Sequence, residues 1–152
     1  MVTARVEETV RVDPERFLEF VLDIDRYAAE VDKKIRPVLW SERDGDTVRF
    51  ACRPKLVGLR QPKVVQFLRR TGHRIDIGLE PLPRNKIAHR MADFRASVEC
   101  RPTGEGCHVT RILEFDFTTP VRLIAEPLFR RRLQAEVADE IRRAKAYLER
   151  EA

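Results

Sequence analysis

The sequence predicts a single α+β domain: one strand, two short helices, six more strands in a meander, and a long C-terminal helix. Three observations carry this. Residues 4–12 alternate, with Ala4, Val6, Val10 and Val12 on one face and Arg5, Glu7, Thr9 and Arg11 on the other, the period of a half-buried strand. From Lys34 to Thr118 the pattern stays strand-like and is broken by turn signals, among them Asp44-Gly45-Asp46 and Thr71-Gly72. Past Pro120, the residues Leu133, Val137, Ile141, Ala144 and Leu148 recur at spacings of four, four, three and four, one apolar stripe on a helix of about five turns.

Each element has its own signal. Glu8 is the exception in the first strand, a charge in the apolar phase. Asp13-Pro14-Glu15 opens a helix, with Asp13 as N-cap and Pro14 at the first helical position. Phe17, Leu18, Phe20, Val21 and Leu22 follow at helical spacing, and Asp23 or Asp25 caps a second short helix carrying Tyr27 and Val31. Strands are expected at 35–42, 47–53, 64–70, 73–79, 86–100 and 107–118, with a loop holding Pro54, Gly58 and Pro62 in between. Thr119-Pro120 starts the last helix, and Pro127 is expected to kink or divide it. Opposite its apolar stripe stands a charged face, with Arg130, Arg131, Arg132, Glu136, Asp139, Glu140, Arg142 and Arg143.

Composition sets bounds. The 152 residues suit one domain, 1–152. A chain of this length buries about 70% of its unfolded surface, so it needs no disulfide or metal staple. No apolar run approaches the ~20 residues of a membrane span. The N-terminus lacks the continuous apolar stretch of a secretory signal, so cytoplasmic residence is expected. Cys52, Cys100 and Cys107 are too few for a disulfide framework; Cys100 and Cys107 flank a turn and can face each other across a hairpin, where two buried thiols are the expected state in a reducing compartment. His73, His89 and His108 are scattered without metal-ligand spacing, and no Gly-rich phosphate loop or Ser nucleophile elbow occurs, so neither metal nor cofactor is expected. The net charge of +5 is uneven. Between Thr47 and Ile75 there is no acid but eight bases, Arg49, Arg53, Lys55, Arg60, Lys63, Arg69, Arg70 and Arg74, while the remainder carries 22 bases against 25 acids.

The element order, the Val10-Arg11-Val12-Asp13-Pro14-Glu15 entry into Phe17–Leu22, Asp23 and Tyr27 in the second helix, the Gly104–Thr110 hairpin and the Pro120–Leu148 segment together resemble the START/Bet v 1-like (SRPBCC, helix-grip) superfamily, on its polyketide cyclase/dehydrase-like branch. The resemblance covers nearly the whole chain. It implies a seven-stranded curved antiparallel sheet wrapped around the long C-terminal helix, with two short helices after the first strand and a pocket between sheet and helix. Polyketide cyclases, lipid and sterol carriers and co-chaperone domains share this fold, so the likeness speaks to fold and not to a reaction. The tryptophan-rich segment that cyclases often carry after the second helix is absent, since this chain reads Tyr27-Ala28-Ala29-Glu30-Val31-Asp32 there.

In the implied fold the first and last strands are antiparallel neighbours, and Glu8 and Arg111 both fall in the inward phase. A pairing sum near 119 would set them side by side, as ligand anchors or as a structural ion pair, because an inward charge is costly unless paired. Arg90 and His89 are alternatives for one inward position, depending on a bulge near Ala92–Asp93. Trp40, Phe50, Phe67, Phe94, Phe115 and Phe117, with Leu128, Leu133 and Val137 from the helix, make the inner face, and the small residues Cys52, Ala88 and Ala96 favour a hollow there. Tyr27 is a further polar candidate. The expected ligand set is therefore Glu8, Tyr27, Trp40, Phe50, His89, Arg90, Phe94, Arg111, Phe115, Leu133 and Val137.

The leading expectation is a binding or transport protein for a small hydrophobic molecule, lipid-like or aromatic. The alternatives are a polyketide cyclase/aromatase-like enzyme, whose acid–base groups would come from Arg90, Arg111, His89 and Tyr27, and an interaction module docking an acidic protein or anionic surface at Arg49–Arg74. Sparse aromatics in that segment weigh against nucleic acid, and sheet-edge protection by Lys and Arg is the favoured account of it over docking.

Overall fold

The computed structural model describes residues 1–80, 85, 92–117 and 121–151. Strand β1 (Val2–Val10) is followed by α1 (Pro14–Leu22), α2 (Ile24–Glu30) and a 3-10 turn at Lys33–Ile35. Then come β2 (Val38–Asp44), β3 (Thr47–Cys52), a small hairpin β4 (Lys55–Leu56) and β5 (Leu59–Arg60), β6 (Val64–Thr71), β7 (Arg74–Leu79), β8 (Ala92–Pro102) and β9 (Cys107–Phe117). The helix α3 (Val121–Glu151) closes the chain. Seven strands form one antiparallel sheet in the order β1-β9-β8-β7-β6-β3-β2, and β4 and β5 pair separately. This is the helix-grip arrangement, with the two-residue strands of β4–β5 set into what the sequence presents as a loop.

Local chemistry explains the entry to the fold. Asp13 is extended at φ −72° and its carboxylate accepts from the Arg16 amide at 3.2 Å, capping α1 behind Pro14. Asp23 occupies the N-cap of α2 without a side-chain cap bond. At Gly106 the β8–β9 turn passes under the end of β1 so closely that any Cβ would collide with the Val10 carbonyl, which only glycine permits.

The stripe of α3 is fully buried: Leu133, Val137, Ile141, Ala144 and Leu148 are each at most 3% exposed. They pack with Val2, Ala4, Val10, Phe17, Leu18 and the inward residues of β9 in one core. The helix also covers the edge of the sheet. Strand β1 is terminal, so its outer N–H and C=O groups lack a strand partner. Gln134 accepts from the Arg5 amide at 3.0 Å and donates to the Arg5 carbonyl at 2.8 Å. Glu149 accepts from the Arg11 amide at 2.9 Å, and Lys145 donates to the Thr9 carbonyl at 2.5 Å.

Several expectations need correction. The helix is not divided at Pro127 but runs on from Val121 through it, because the proline lies in its second turn, where it removes a single intrahelical bond. Leu128 is outside the core, at 68% exposed, since it falls off the stripe that begins at Leu133. Phe67 stands on the outer face: Val64, Gln66 and Leu68 take the inward phase of β6, and Phe67 packs over Gly78, its cross-strand partner, where no side chain competes. From Ala92 to Pro102 the β8–β9 pairing is continuous, with no bulge at Ala92–Asp93. The cysteines need none: Cys100 and Cys107 are free buried thiols, as expected.

Candidate functional site

Between the sheet and α3 lies a cavity of about 440 Å³. That is within the range of ~300–1,000 Å³ usual for small-molecule sites. Its walls are mostly apolar: Val21 and Ile24 from the short helices, Phe50, Leu56, Val64, Leu68, Ile77 and Leu79 from the middle strands, and Val98, Leu113, Phe115 and Phe117 from β8 and β9. Phe94, Phe115 and Phe117 form one aromatic wall with Phe129 of α3, with neighbouring ring centroids 4.9–5.8 Å apart. At one end the cavity meets the exposed residues Pro62 and Lys63, which makes the β5–β6 segment its mouth.

Another part of its wall is polar and closed off from solvent. Glu140 of α3, Arg111 of β9, Lys34 of the 3-10 turn, Asp32 before it and Tyr27 of α2 converge there, each at most 7% exposed. Glu140 is the hub. Its Oε1 accepts from the Lys34 ammonium at 2.7 Å, and its Oε2 accepts from Tyr27 OH at 2.5 Å and Arg111 Nε at 3.1 Å. Arg111 also donates to the Ser97 carbonyl at 3.5 Å. Asp32 Oδ1 accepts from the Lys34 amide at 3.0 Å and lies 2.9 Å from its ammonium. Two acids and two bases make this cluster neutral, which is what permits its burial.

The titration of these groups follows from that geometry. Burial opposes ionisation of Glu140, but Arg111 and Lys34 outweigh it and hold the carboxyl at about 2. Burial disfavours the charged forms of Lys34 and Arg111 too, yet the facing carboxylates raise both. Asp32 is pushed up, by burial first and then by the charge of Glu140. Tyr27 is driven well above its ordinary value by burial and the same carboxylate, so it stays a hydroxyl.

The sequence-predicted residues divide into four groups. Tyr27, Phe50, Phe94, Arg111 and Phe115 line the cavity. Leu133 and Val137 are wholly buried in the core beside it, and Trp40 is half-buried on β2 away from its walls. His89 and Arg90 lie outside the described residues. Glu8 does not meet Arg111, which is a correction: the strands pair Val6 with Arg111 and Glu8 with Val109, so the pairing sum is 117. Glu8 keeps the helix-facing phase but lies toward the end of β1, half-buried, 3.6 Å from Lys145.

Reading by residue type missed Asp32, Lys34, Gln66 and Glu140. Glu140 was legible in principle, because it sits three residues after Val137 and four before Ala144, inside the apolar stripe and not opposite it. Asp32 and Lys34 had no such signal, since nothing periodic governs a 3-10 turn. Among the described residues no group of three or more His, Cys, Asp or Glu could hold a metal ion, and no helix is long and apolar enough to cross a membrane. The basic segment is partly answered from within: Arg49 pairs with Glu80, Arg70 with Glu15, and Arg74 with Asp76.

Comparison with known proteins agrees with this geometry. The family model described as polyketide cyclase / dehydrase and lipid transport matches residues 1–149. The chain belongs to this family. Similar solved structures, a START superfamily protein among them, show the same fold. TTHA0849 from Thermus thermophilus superposes with a TM-score of 0.76 at 16% identity, over 95% of this chain and 94% of that one. A START superfamily protein from Mycobacterium smegmatis gives 0.70 at 14% identity, over 99% and 98%. The di-domain ARO/CYC StfQ from the steffimycin biosynthetic pathway gives 0.73 at 14% identity, with 99% of this chain covering 52% of that one. No protein of curated function matches the sequence significantly. Family membership accounts for a protein built to enclose a ligand, without fixing which ligand or what becomes of it.

Proposed function

We propose that this protein binds, and passes on, a small hydrophobic molecule, lipid-like or aromatic, in the cavity between sheet and α3. One observation carries the reading: a cavity of about 440 Å³ with apolar and aromatic walls, open at Pro62 and Lys63 and closed by a neutral polar cluster. A filled core would have served stability better, because emptiness of this size forfeits dispersion contacts. The apolar body of the ligand would rest against Phe50, Leu79, Phe94, Leu113 and Phe115. Its polar end would face Tyr27, Asp32, Lys34 and Arg111. Because Glu140 and Arg111 are paired to each other, they hold the wall in shape before a ligand arrives.

The experiment is a titration with a neutral environment-sensitive fluorophore, N-phenyl-1-naphthylamine, on the native chain and on Leu79→Trp, which fills the cavity from β7. Saturable one-to-one enhancement that the substitution abolishes is the expected result. Equal enhancement in both proteins would move binding to another surface.

A second reading, a cyclase-like enzyme, is favoured by the titratable groups at the polar wall of the cavity. Tyr27 and Lys34 both hold protons there, and Asp32 can accept one. Incubation with a poly-β-ketone and mass analysis of the extract separates the readings: loss of water from the ligand supports the enzyme, and unchanged ligand supports the carrier.

A further inference from the structure

Asp32 differs from the rest of the cluster in one respect. Both oxygens of Glu140 are taken, Oε1 by Lys34 and Oε2 by Tyr27 and Arg111. Asp32 places both of its contacts with Lys34 on Oδ1. Among the described residues no hydrogen bond reaches Oδ2, although the residue is only 3% exposed. Nor is Oδ2 sealed in: among the described residues, the one buried side-chain polar atom shut off without a partner is Glu136 Oε2. Asp32 lines the cavity, so its spare carboxylate oxygen is presented there. A buried carboxylate oxygen left without a donor costs stability even when its twin is paired. A ligand that supplies the donor removes that cost.

The surroundings narrow the class. The charges at this wall are Asp32, Glu140, Lys34 and Arg111, which balance. A carboxylate ligand would add an anion opposite Oδ2 and bring no donor. An ammonium would leave the polar wall with an excess positive charge. A ketone or ether could accept from Lys34 or Arg111 but would leave Oδ2 bare. A hydroxyl is neutral, donates one bond and accepts others.

Resting on the hydrophobic-ligand reading above, we infer that the molecule held in this cavity carries a hydroxyl group, alcohol or phenol, and that Asp32 selects it. The hydroxyl donates to Asp32 Oδ2 and accepts from Lys34 or Arg111, while the apolar body fills the aromatic end. Asp32 is then the specificity-determining residue of the site, and Glu140, whose oxygens are spent inside the protein, is its structural support.

The test uses three probes with one ring system: 2-naphthol, 2-methoxynaphthalene and 2-naphthoate. Their affinities are measured by calorimetry on the native chain and on Asp32→Asn. That substitution keeps the shape. The two Lys34 donors retain the amide oxygen, so the amide nitrogen takes the place of Oδ2 and turns an acceptor into a donor. For the native chain 2-naphthol binds about tenfold or more tighter than either other probe, the worth of one hydrogen bond to a charged acceptor. In Asp32→Asn the advantage over 2-methoxynaphthalene falls to about twofold or less, and 2-naphthoate gains, because the cluster now carries an unbalanced positive charge. Equal affinity of 2-naphthol and 2-methoxynaphthalene in the native chain overturns the role of Asp32 and leaves the hydrophobic-ligand reading standing. A preference for 2-naphthol that persists in Asp32→Asn overturns it as well. Failure of all three probes to bind the native chain removes both. The native-chain comparison needs no variant, so a folding defect in Asp32→Asn does not protect the proposal.

Discussion

Arg111 Nε lies 3.1 Å from Glu140 Oε2, a bond that ties β9 to the helix lying across it, with both side chains almost wholly buried. Sheet and helix are thus joined at the polar wall of the cavity by charge as well as by apolar packing. Removing one partner of such a pair leaves the other ionised in a dry site, which costs about 3–5 kcal/mol, far more than the pair contributes relative to apolar residues of the same shape. Glu140→Gln and Arg111→Leu should therefore each lower stability by that order in urea denaturation. In a double-mutant cycle the combined variant should lose less than the two single losses added together.

Acid should expose the same dependence. Glu140 titrates at about 2 in the folded chain against an ordinary 4.5. A depressed carboxyl contributes stability that is present above 4.5 and is lost as the pH falls toward 2. At 1.36 kcal/mol per unit the contribution is about 3 kcal/mol. Asp32 acts in the opposite sense, because folding raises it and acid relieves its buried charge. In unfolding curves taken from about pH 5 down to about pH 2, the native chain should lose stability more steeply than Glu140→Gln. Parallel curves would show that Glu140 is not held ionised by its neighbours.

Tyr27 offers a subtler change. Its hydroxyl donates to Glu140 at 2.5 Å, and its ring meets Phe20 edge-on at 5.2 Å. Tyr27→Phe keeps the ring and deletes the donor, so a loss of about 2 kcal/mol is expected, the range for a hydrogen bond to a charged group. Thermal unfolding followed by circular dichroism would measure it.

Glu8 supplies the contrast. Its pairing with Lys145 spans 3.6 Å, and both side chains are at least one-third exposed. Solvent screens such a pair, so Glu8→Ala should cost less than about 1 kcal/mol in the same denaturation assay. A loss as large as that for Glu140→Gln would mean that the first strand depends on Glu8 in a way its exposure does not suggest.

The fold was legible because its signals are periodic. The alternation of residues 4–12, the turn pairs at Gly45 and Gly72 and the 133–148 stripe each report on many residues at once, and the element order then narrows the topology. Arg111 was legible for the same reason, since Val109, Leu113 and Phe115 fix the inward phase of β9. Its partner was not. Choosing between Glu8 and Glu140 required the β1–β9 register and the rotation of α3, and a shift of two residues in register preserves the phase while changing the neighbour. Lys34 and Asp32 were hidden in a short turn that no period describes. In β6 the polar Gln66 holds an inward position and Phe67 an outward one, so hydrophobicity alone pointed to the wrong face.

A cavity that exists to hold a hydrophobic molecule should show it in native mass spectrometry of the gently purified chain. The expected result is a one-to-one complex, either co-purified or formed on exposure to a panel of lipids and aromatic alcohols, that is absent in Leu79→Trp. A native chain that shows only its own mass and takes up nothing from that panel, or a Leu79→Trp chain that takes up as much as the native one, would contradict that role for the cavity.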